Sequence, residues 1–416
     1  MVLASADQWK HWKKNIVLFL GSQTISLFGS ALVNYAIIWY ITLNTQSGMM
    51  MTISILCSFL PTFFLSPFAG VWADRYNRKM LIVASDALIA VSTLVMAVLF
   101  LLGYDALWML FVISVIRSVG SGIQSPAVNA MVPQIVPGNR LTRVNGVNGS
   151  IQSLVWLVAP MVSAALLTMS SLEVIFFIDV ITAAIAIFIL LVFLRIPAHR
   201  KAQQKQNAGY FSDLKLGYDY IRHHAFLKKL FLFFAAFFFL SAPYMFLTPL
   251  QVTRSFGDDV WRLTAVEIVY SIGMITGGAI MASWGGFRNK MHTMTLACVT
   301  TGACIIALGV VPVFWIYLFF MGLAGVVMPA FNTPATVLLQ EKVDSDYLGR
   351  VFGVQTMIST SMTPLGMLVF GPIADVVAIE WLLIGTGILV FFMGFYLSGS
   401  KELIEAGKPV PKETSS

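Results

Sequence analysis

Charge is what this 416-residue chain has least of. Only 11% of its residues are Asp, Glu, Lys or Arg, against 58% hydrophobic, and the mean hydropathy is +0.83. One soluble core cannot hide that much apolar surface, so an ordinary globular domain is excluded. Cysteine is scarce as well. Cys57, Cys298 and Cys304 are odd in number, lie in apolar stretches and match no metal-ligand spacing, so neither a disulfide framework nor a metal site is expected. There is no phosphate loop: the Gly407–Lys408 pair is followed by Pro409, which argues against ATP-driven chemistry. No paired carboxylates or nucleophile–base arrangement marks an enzyme, and no cofactor is expected. His11, His199, His223, His224 and His292 all fall at the edges of apolar stretches, so none is placed to relay protons deep in a membrane.

What the chain does have is long apolar runs. Crossing the hydrocarbon of a bilayer takes about 20 apolar residues as a helix. Runs of that kind predict twelve spans: 15–43, 50–73, 79–102, 106–128, 144–168, 172–195, 226–252, 262–283, 291–311, 313–337, 348–374 and 379–399. The first is too long for a signal-peptide core and is expected to stay as a helix. Ahead of it, "WKHWKKN" (Trp9 to Asn15) sets three lysines beside two tryptophans, an interfacial anchor suited to the cytoplasmic face. With both termini inside, every Lys and Arg except Arg117, Arg254 and Arg262 falls on the cytoplasmic side, which satisfies the positive-inside rule. The net charge of +7 and pI of 9.3 therefore report orientation in the lipid bilayer and call for no nucleic-acid partner.

The fold class expected is an all-α membrane protein with six spans on either side of one long polar interruption. That gives an N-terminal bundle (1–195), a cytoplasmic linker (196–225), a C-terminal bundle (226–400) and a tail (401–416). The linker opens "RIPAHRKAQQKQNAGYF", and within it Phe211, Leu214, Tyr218, Ile221 and Ala225 recur at helical spacing, which fits either an amphipathic helix on the membrane surface or a loosely ordered connection. The halves resemble each other. "IQSPA" (Ile123 to Ala127) matches "FNTPA" (Phe331 to Ala335), each followed by a loop and a polar helix, "RVNGV" or "RVFGV". "WADRYNRKM" (Trp72 to Met80) lines up with "SWGGFRNKM" (Ser283 to Met291), losing the Asp-Arg pair. Such a parallel repeat puts a substrate site near the midplane between two rocking bundles.

"GVWADRYNRK" resembles the signature between the second and third helices of the major facilitator superfamily, departing at Asn77 where the family pattern has Gly, a position where Asn can also take a positive φ. "RSVGSG" (Arg117 to Gly122) resembles the fourth-helix signature. "GRVF" (Gly349 to Phe352) and "GPIAD" (Gly371 to Asp375) are similar to the eleventh helix in the macrolide-efflux branch of the drug/proton antiporters, whereas the fifth-helix signature is reduced to "APMVSA" (Ala159 to Ala164). The resemblance implies the two-bundle major facilitator fold, and the chain is expected to be a multi-pass protein of the bacterial inner (cytoplasmic) membrane and a monomer.

The charges have candidate roles. Gly70, Asp74, Arg75, Arg78, Lys79 and Asp86 form an expected cytoplasmic gate, in which Asp74 accepts from a neighbouring helix terminus when the halves touch; the bases alternatively only enforce topology. Ionisable groups inside apolar spans cost about 2.5 to 3.5 kcal/mol each and need a purpose or a partner. Arg117 could respond to an acidic group or hold kinked backbone near Pro126. Glu267, on a stripe with Tyr270, Met274 and Gly277, is the first proton-coupling candidate, its rival reading a pairing with Arg262. Asp179 is a second proton candidate, with pairing inside the bundle as the alternative.

Polar stripes at three- or four-residue steps point to a substrate cavity: Gln23, Ser26, Ser30 and Asn34 on the first span; Asn145, Asn148, Gln152 and Trp156 on the fifth; Gln355, Ser359 and Met362 on the eleventh, with Tyr270 on the eighth. Interhelical packing explains such residues equally well. The function expected is proton-coupled export of an amphipathic small molecule by alternating access, its direction and substrate resting on the resemblance. The alternatives are export of an endogenous metabolite such as a catecholate siderophore, or a non-transporting membrane sensor.

Overall fold

The computed structural model describes residues 12–137, 140–194, 219–344 and 347–408. Long apolar segments satisfy every backbone group internally as helices, the form that hydrocarbon favours. In chain order the helices are α1 (Trp12–Thr45), α2 (Gly48–Arg75), α3 (Arg78–Leu101), α4 (Leu107–Ile135), α5 (Leu141–Met169) and α6 (Leu172–Phe188), the last continuing as a π-helical turn (Ile189–Phe193). They are followed by α7 (Ala225–Phe246), α8 (Thr248–Phe256), α9 (Val260–Trp284), α10 (Lys290–Val310), α11 (Phe314–Lys342), α12 (Leu348–Ile373), α13 (Ile379–Gly399) and the short α14 (Lys401–Ala406). Twelve spans among the described residues are long and apolar enough to cross a membrane, α7 and α8 together forming one.

Contacts divide the chain into two units, one of residues 1–44 and 53–205, the other of residues 45–52 and 206–416. In the first, Ile16 and Phe19 of α1, Ala73 of α2, Ile82 of α3, Met131 and Ile135 of α4 and Leu190 form one buried cluster. In the second, the phenylalanine-rich α7 packs on α11, Phe237 stacking on Phe331 with centroids 4.3 Å apart. Between α9 and α11 the backbones touch. A Cβ at Gly277 would lie 2.0 Å from the carbonyl oxygen of Val326, so only glycine permits this crossing.

The two matched stretches end in related helix starts. Asn77 caps α3, its side chain accepting from Met80 N at φ −67°, so the Asn replacing Gly is a cap and not a left-handed residue as expected. Asn289 caps α10 in the same way, accepting from Met291 N. Where the first stretch has Asp74 and Arg75, the second has Gly285 and Gly286, both at positive φ, closing α9 left-handed. Pro126 and Pro334 of the matched "SPA" and "TPA" motifs lie inside α4 and α11, the fourth span of each half.

Most of the linker, including Phe211 to Tyr218, lies outside the described residues. Its end, 219–223, is helical, and the Tyr220 hydroxyl donates to Asp344 at 3.0 Å while its ring stacks on Tyr347.

Candidate functional site

A cavity of about 370 Å³ opens inside the first unit. The six cavity residues expected from the first and fifth spans, Gln23, Ser30, Asn34, Asn148, Gln152 and Trp156, all line it. Ser26 and Asn145 are not among its lining residues. A third wall comes from α4, through Ser114, Arg117, Ser118, Ser121, Gln124 and Asn129. The sequence carries a signal for that wall, polar residues three or four apart from Ser114 to Asn129, which the signature reading of "RSVGSG" passed over. Tyr35 meets the Trp156 ring edge-on at 6.3 Å.

Arg117 borders the cavity and is tied down behind it. It is 4% exposed and its Nη1 lies 2.5 Å from Oδ2 of Asp179, itself 0% exposed. Nη1 also donates to Thr93 Oγ1 (2.6 Å) and Nη2 to the Ser30 carbonyl (3.1 Å), while the Ser30 hydroxyl donates to the other Asp179 oxygen (3.2 Å). Four helices, α1, α3, α4 and α6, meet in this network. Mutual pairing and hydrogen bonds offset the cost of burying both charges. Asp179 is thus paired inside the bundle, and Arg117 has an acidic partner rather than kinked backbone.

Of the expected cytoplasmic cluster, Arg78 and Lys79 bind backbone carbonyls and Asp86 lies apart. Arg78 Nε donates to the Ala73 carbonyl and Nη1 to that of Ala130, each at 2.8 Å, tying the end of α2 to α4. Lys79 donates to the Leu194 carbonyl at 2.9 Å and the Leu191 carbonyl at 3.3 Å. These four bonds all lie within the first unit. Arg75 is exposed; a Cβ at Gly70 would meet open space; and the Asp74 side chain lies outside the described residues. Asp86, grouped with these charges by its nearness in sequence, is instead 1% exposed, and accepts from Ser26 Oγ and Gln124 Nε2 at 2.7 Å each. Asp86 lies two turns along α3 from Lys79, on the face turned toward α1 and α4.

In the second unit Glu267 and Tyr270 of α9 line a hollow of about 90 Å³ with Tyr244, Met245, Thr248, Val266 and Met321. The rival pairing is not made: Arg262 meets Asp259 at 3.3 Å and lies over the rings of Trp261 and Phe314. Gln355, Ser359 and Met362 on α12 are half-buried and line neither hollow.

Sequence reasoning gave Asp375 no role, yet its carboxylate holds the start of α2. It accepts from Gly48 N (2.6 Å), Met49 N (2.9 Å), Ser47 Oγ (2.8 Å) and Arg254 (3.1 Å). Partial burial pushes the carboxyl up, and these donors, Met49 and Gly48 first, outweigh it and hold it below the usual carboxylate range. Among the described residues no group of three or more His, Cys, Asp or Glu could hold a metal ion.

Twelve apolar helices and a polar cavity inside the first unit make this a multi-pass membrane protein with room for a small molecule. The Major Facilitator Superfamily model matches residues 19–367, and the chain belongs to that family. Macrolide efflux protein A of Streptococcus pyogenes is 29% identical over 387 residues, covering 92% of this chain and 95% of that protein. The staphyloferrin A transporter of Staphylococcus aureus is 22% identical over 391 residues, covering 92% and 96%. Among solved structures, a bacterial homologue of the lysosomal transporter Spinster superposes with a TM-score of 0.70 at 13% identity, covering 97% of this chain and 99% of its own. The nucleoside transporter NupG superposes at 0.67 and 15%, covering 94% and 100%. The chain is a multi-pass secondary transporter with the major facilitator fold, two bundles of six helices.

Proposed function

We propose that the chain exports amphipathic small molecules, of macrolide or multidrug type, in exchange for protons by alternating access, as a monomer in a bacterial inner membrane with both termini in the cytoplasm. The observation that carries the proton part is Glu267, an acid inside a span whose candidate partner Arg262 is engaged by Asp259. No cation among the described residues pairs with Glu267, and taking up a proton there and releasing it into water as the hollow opens completes half of an exchange cycle. Export and substrate class draw support from the similarity to macrolide efflux protein A. The cavity supports the same class: its Arg117 is neutralised by Asp179, so the wall offers no free positive charge to an anionic ligand, and Trp156 and Tyr35 offer aromatic surface.

A second reading, export of a metabolite such as a siderophore, is favoured by the similarity to the staphyloferrin A transporter and needs the Arg117–Asp179 pair to open for the ligand. In either cycle the turn from Gly70 to Lys79 serves as the cytoplasmic gate through Asp74 and Arg75, with Arg78 and Lys79 bracing it.

The test is proton movement in energised inside-out vesicles challenged with macrolides, lipophilic cations and catecholates. Alkalinisation of the lumen by macrolides or cations, lost in Glu267→Gln, is the expected result. A response to catecholates alone selects the second reading, and silence across the panel with correct membrane insertion overturns both.

A further inference from the structure

Two acids are buried among the helices of the first unit, and their surroundings differ. Asp179 faces a guanidinium. Asp86 has only neutral donors, the Ser26 hydroxyl from α1 and the Gln124 amide from α4, and both bind the same oxygen, Oδ1. Its Oδ2 is buried with no hydrogen-bond partner in the protein, and so is Nε2 of Gln23, whose Oε1 lies 3.4 Å from the same Gln124 amide. Gln23 and Gln124 both line the polar cavity, so Asp86 sits one side chain behind its wall.

The charged and titratable groups around it are accounted for. Helix α4 supplies Arg117, held by Asp179, and α6 supplies Asp179 and Glu173. On α3 itself, Arg78 and Lys79 donate to backbone carbonyls and neither pairs with Asp86. Helix α1 carries Tyr35, Tyr40 and, exposed in its first turn, Lys13 and Lys14. No cation among the described residues pairs with Asp86. An ionised carboxylate there would be a buried charge with no cation beside it among the described residues.

We propose that Asp86 is a proton-exchanging group of the first unit. With both donors on Oδ1, the neutral form takes Oδ1 as its carbonyl oxygen and carries the hydrogen on Oδ2. When water reaches it along Gln124 and Gln23, the Oδ2–H bond breaks, the proton passes to water and the electron pair stays on the carboxylate. Ser26, Gln124 and the free amide of Gln23 then stabilise the anion with three neutral donors. Its use in transport rests on the proton-coupled reading; its titration does not, and it is independent of Glu267 in the other unit.

Infrared spectra of the purified protein in lipid, recorded across a pH series, test this directly. A protonated-carboxyl C=O band should persist at neutral pH in Glu267→Gln and vanish when Asp86→Asn is added to it, and the wild-type band should lose one component in Asp86→Asn. Ser26→Ala, a small change that spares the fold, should move that band to higher frequency, because the C=O oxygen loses one of its donors. If Asp86→Asn does not fold, the Ser26→Ala shift decides. A wild-type spectrum identical to that of Asp86→Asn, or a band unmoved by Ser26→Ala, overturns the proposal. In vesicles, Asp86→Asn should lose tenfold or more of pH-driven export and Asp86→Glu regain part of it. Full pH-driven export by Glu267→Gln with the Asp86 band present would remove Glu267 and leave Asp86 standing.

Discussion

Arg117 and Asp179 form an ion pair closed off from solvent, 4% and 0% exposed, to which Thr93 and Ser30 add hydrogen bonds from two further helices. Gly29 lets α1 come this close: a Cβ there would lie 2.0 Å from the Thr182 hydroxyl and 3.1 Å from the Asp179 backbone. One charge of the pair borders the polar cavity. The same contact therefore joins four helices and sets the electrostatics of the site.

Removing one member leaves the other as an uncompensated buried charge. Asp179→Leu or Arg117→Met alone should destabilise the protein by about 3 to 5 kcal/mol, and the double variant by clearly less, since pair and penalty go together. Thermal unfolding of the four proteins in detergent completes the cycle. Additive losses would show that the two residues act separately.

Trp156 is exposed toward the cavity and makes an edge contact with Tyr35, so truncating it removes aromatic surface without cutting into the core. Trp156→Ala should weaken binding of aromatic or macrocyclic compounds by about 1 to 2 kcal/mol, roughly 5- to 30-fold in Kd, while leaving the melting temperature within two degrees or so. Equilibrium binding on the purified protein reads the first and a melting curve the second.

The positions that sequence and structure share are those fixed by periodicity. Gln23, Ser30, Asn34, Asn148, Gln152 and Trp156 sit at helical steps on otherwise apolar spans, and a stripe of that kind has to turn away from lipid. The helices themselves were legible for the same reason. Asp86 was not, because nearness to Lys79 along the chain says nothing about which face of a helix a residue occupies. The Arg117–Asp179 pair joins residues 62 positions apart, and no local pattern encodes it. The anchoring role of Asp375 was not legible because two of its partners are backbone amides, which nearly every residue has.

The anchor that Asp375 makes at the start of α2 predicts a definite pH behaviour. Its carboxyl is held below the ordinary value of 3.8, so the stabilisation it gives is fully present above that value and is lost only as the pH falls through the lowered one. Hydrogen exchange in the segment 46–52, corrected for intrinsic rates, should be equally protected from about pH 5 to 9. In Asp375→Asn the protection should fall about tenfold throughout that window, the loss of one to two charge-assisted hydrogen bonds. Protection that declines between pH 7 and 5 in the wild type would rule out this carboxylate as the anchor.

Gly277 and Gly278 give neighbouring glycines opposite expectations. A Cβ at Gly277 would meet the Val326 carbonyl oxygen at 2.0 Å and its Cα at 2.9 Å, all backbone of α11 that cannot turn aside as a side chain would. At Gly278 a Cβ meets nothing within 4 Å. Gly277→Ala should therefore force α9 and α11 apart and cost about 1 to 3 kcal/mol, lowering the yield of folded protein. Gly278→Ala should be neutral or gain up to about 1 kcal/mol, because alanine is the better helix former and has room. Melting temperatures of the two variants side by side check this. Equal losses at both positions would mean that helix flexibility, and not the closeness of the two backbones, is what these glycines supply.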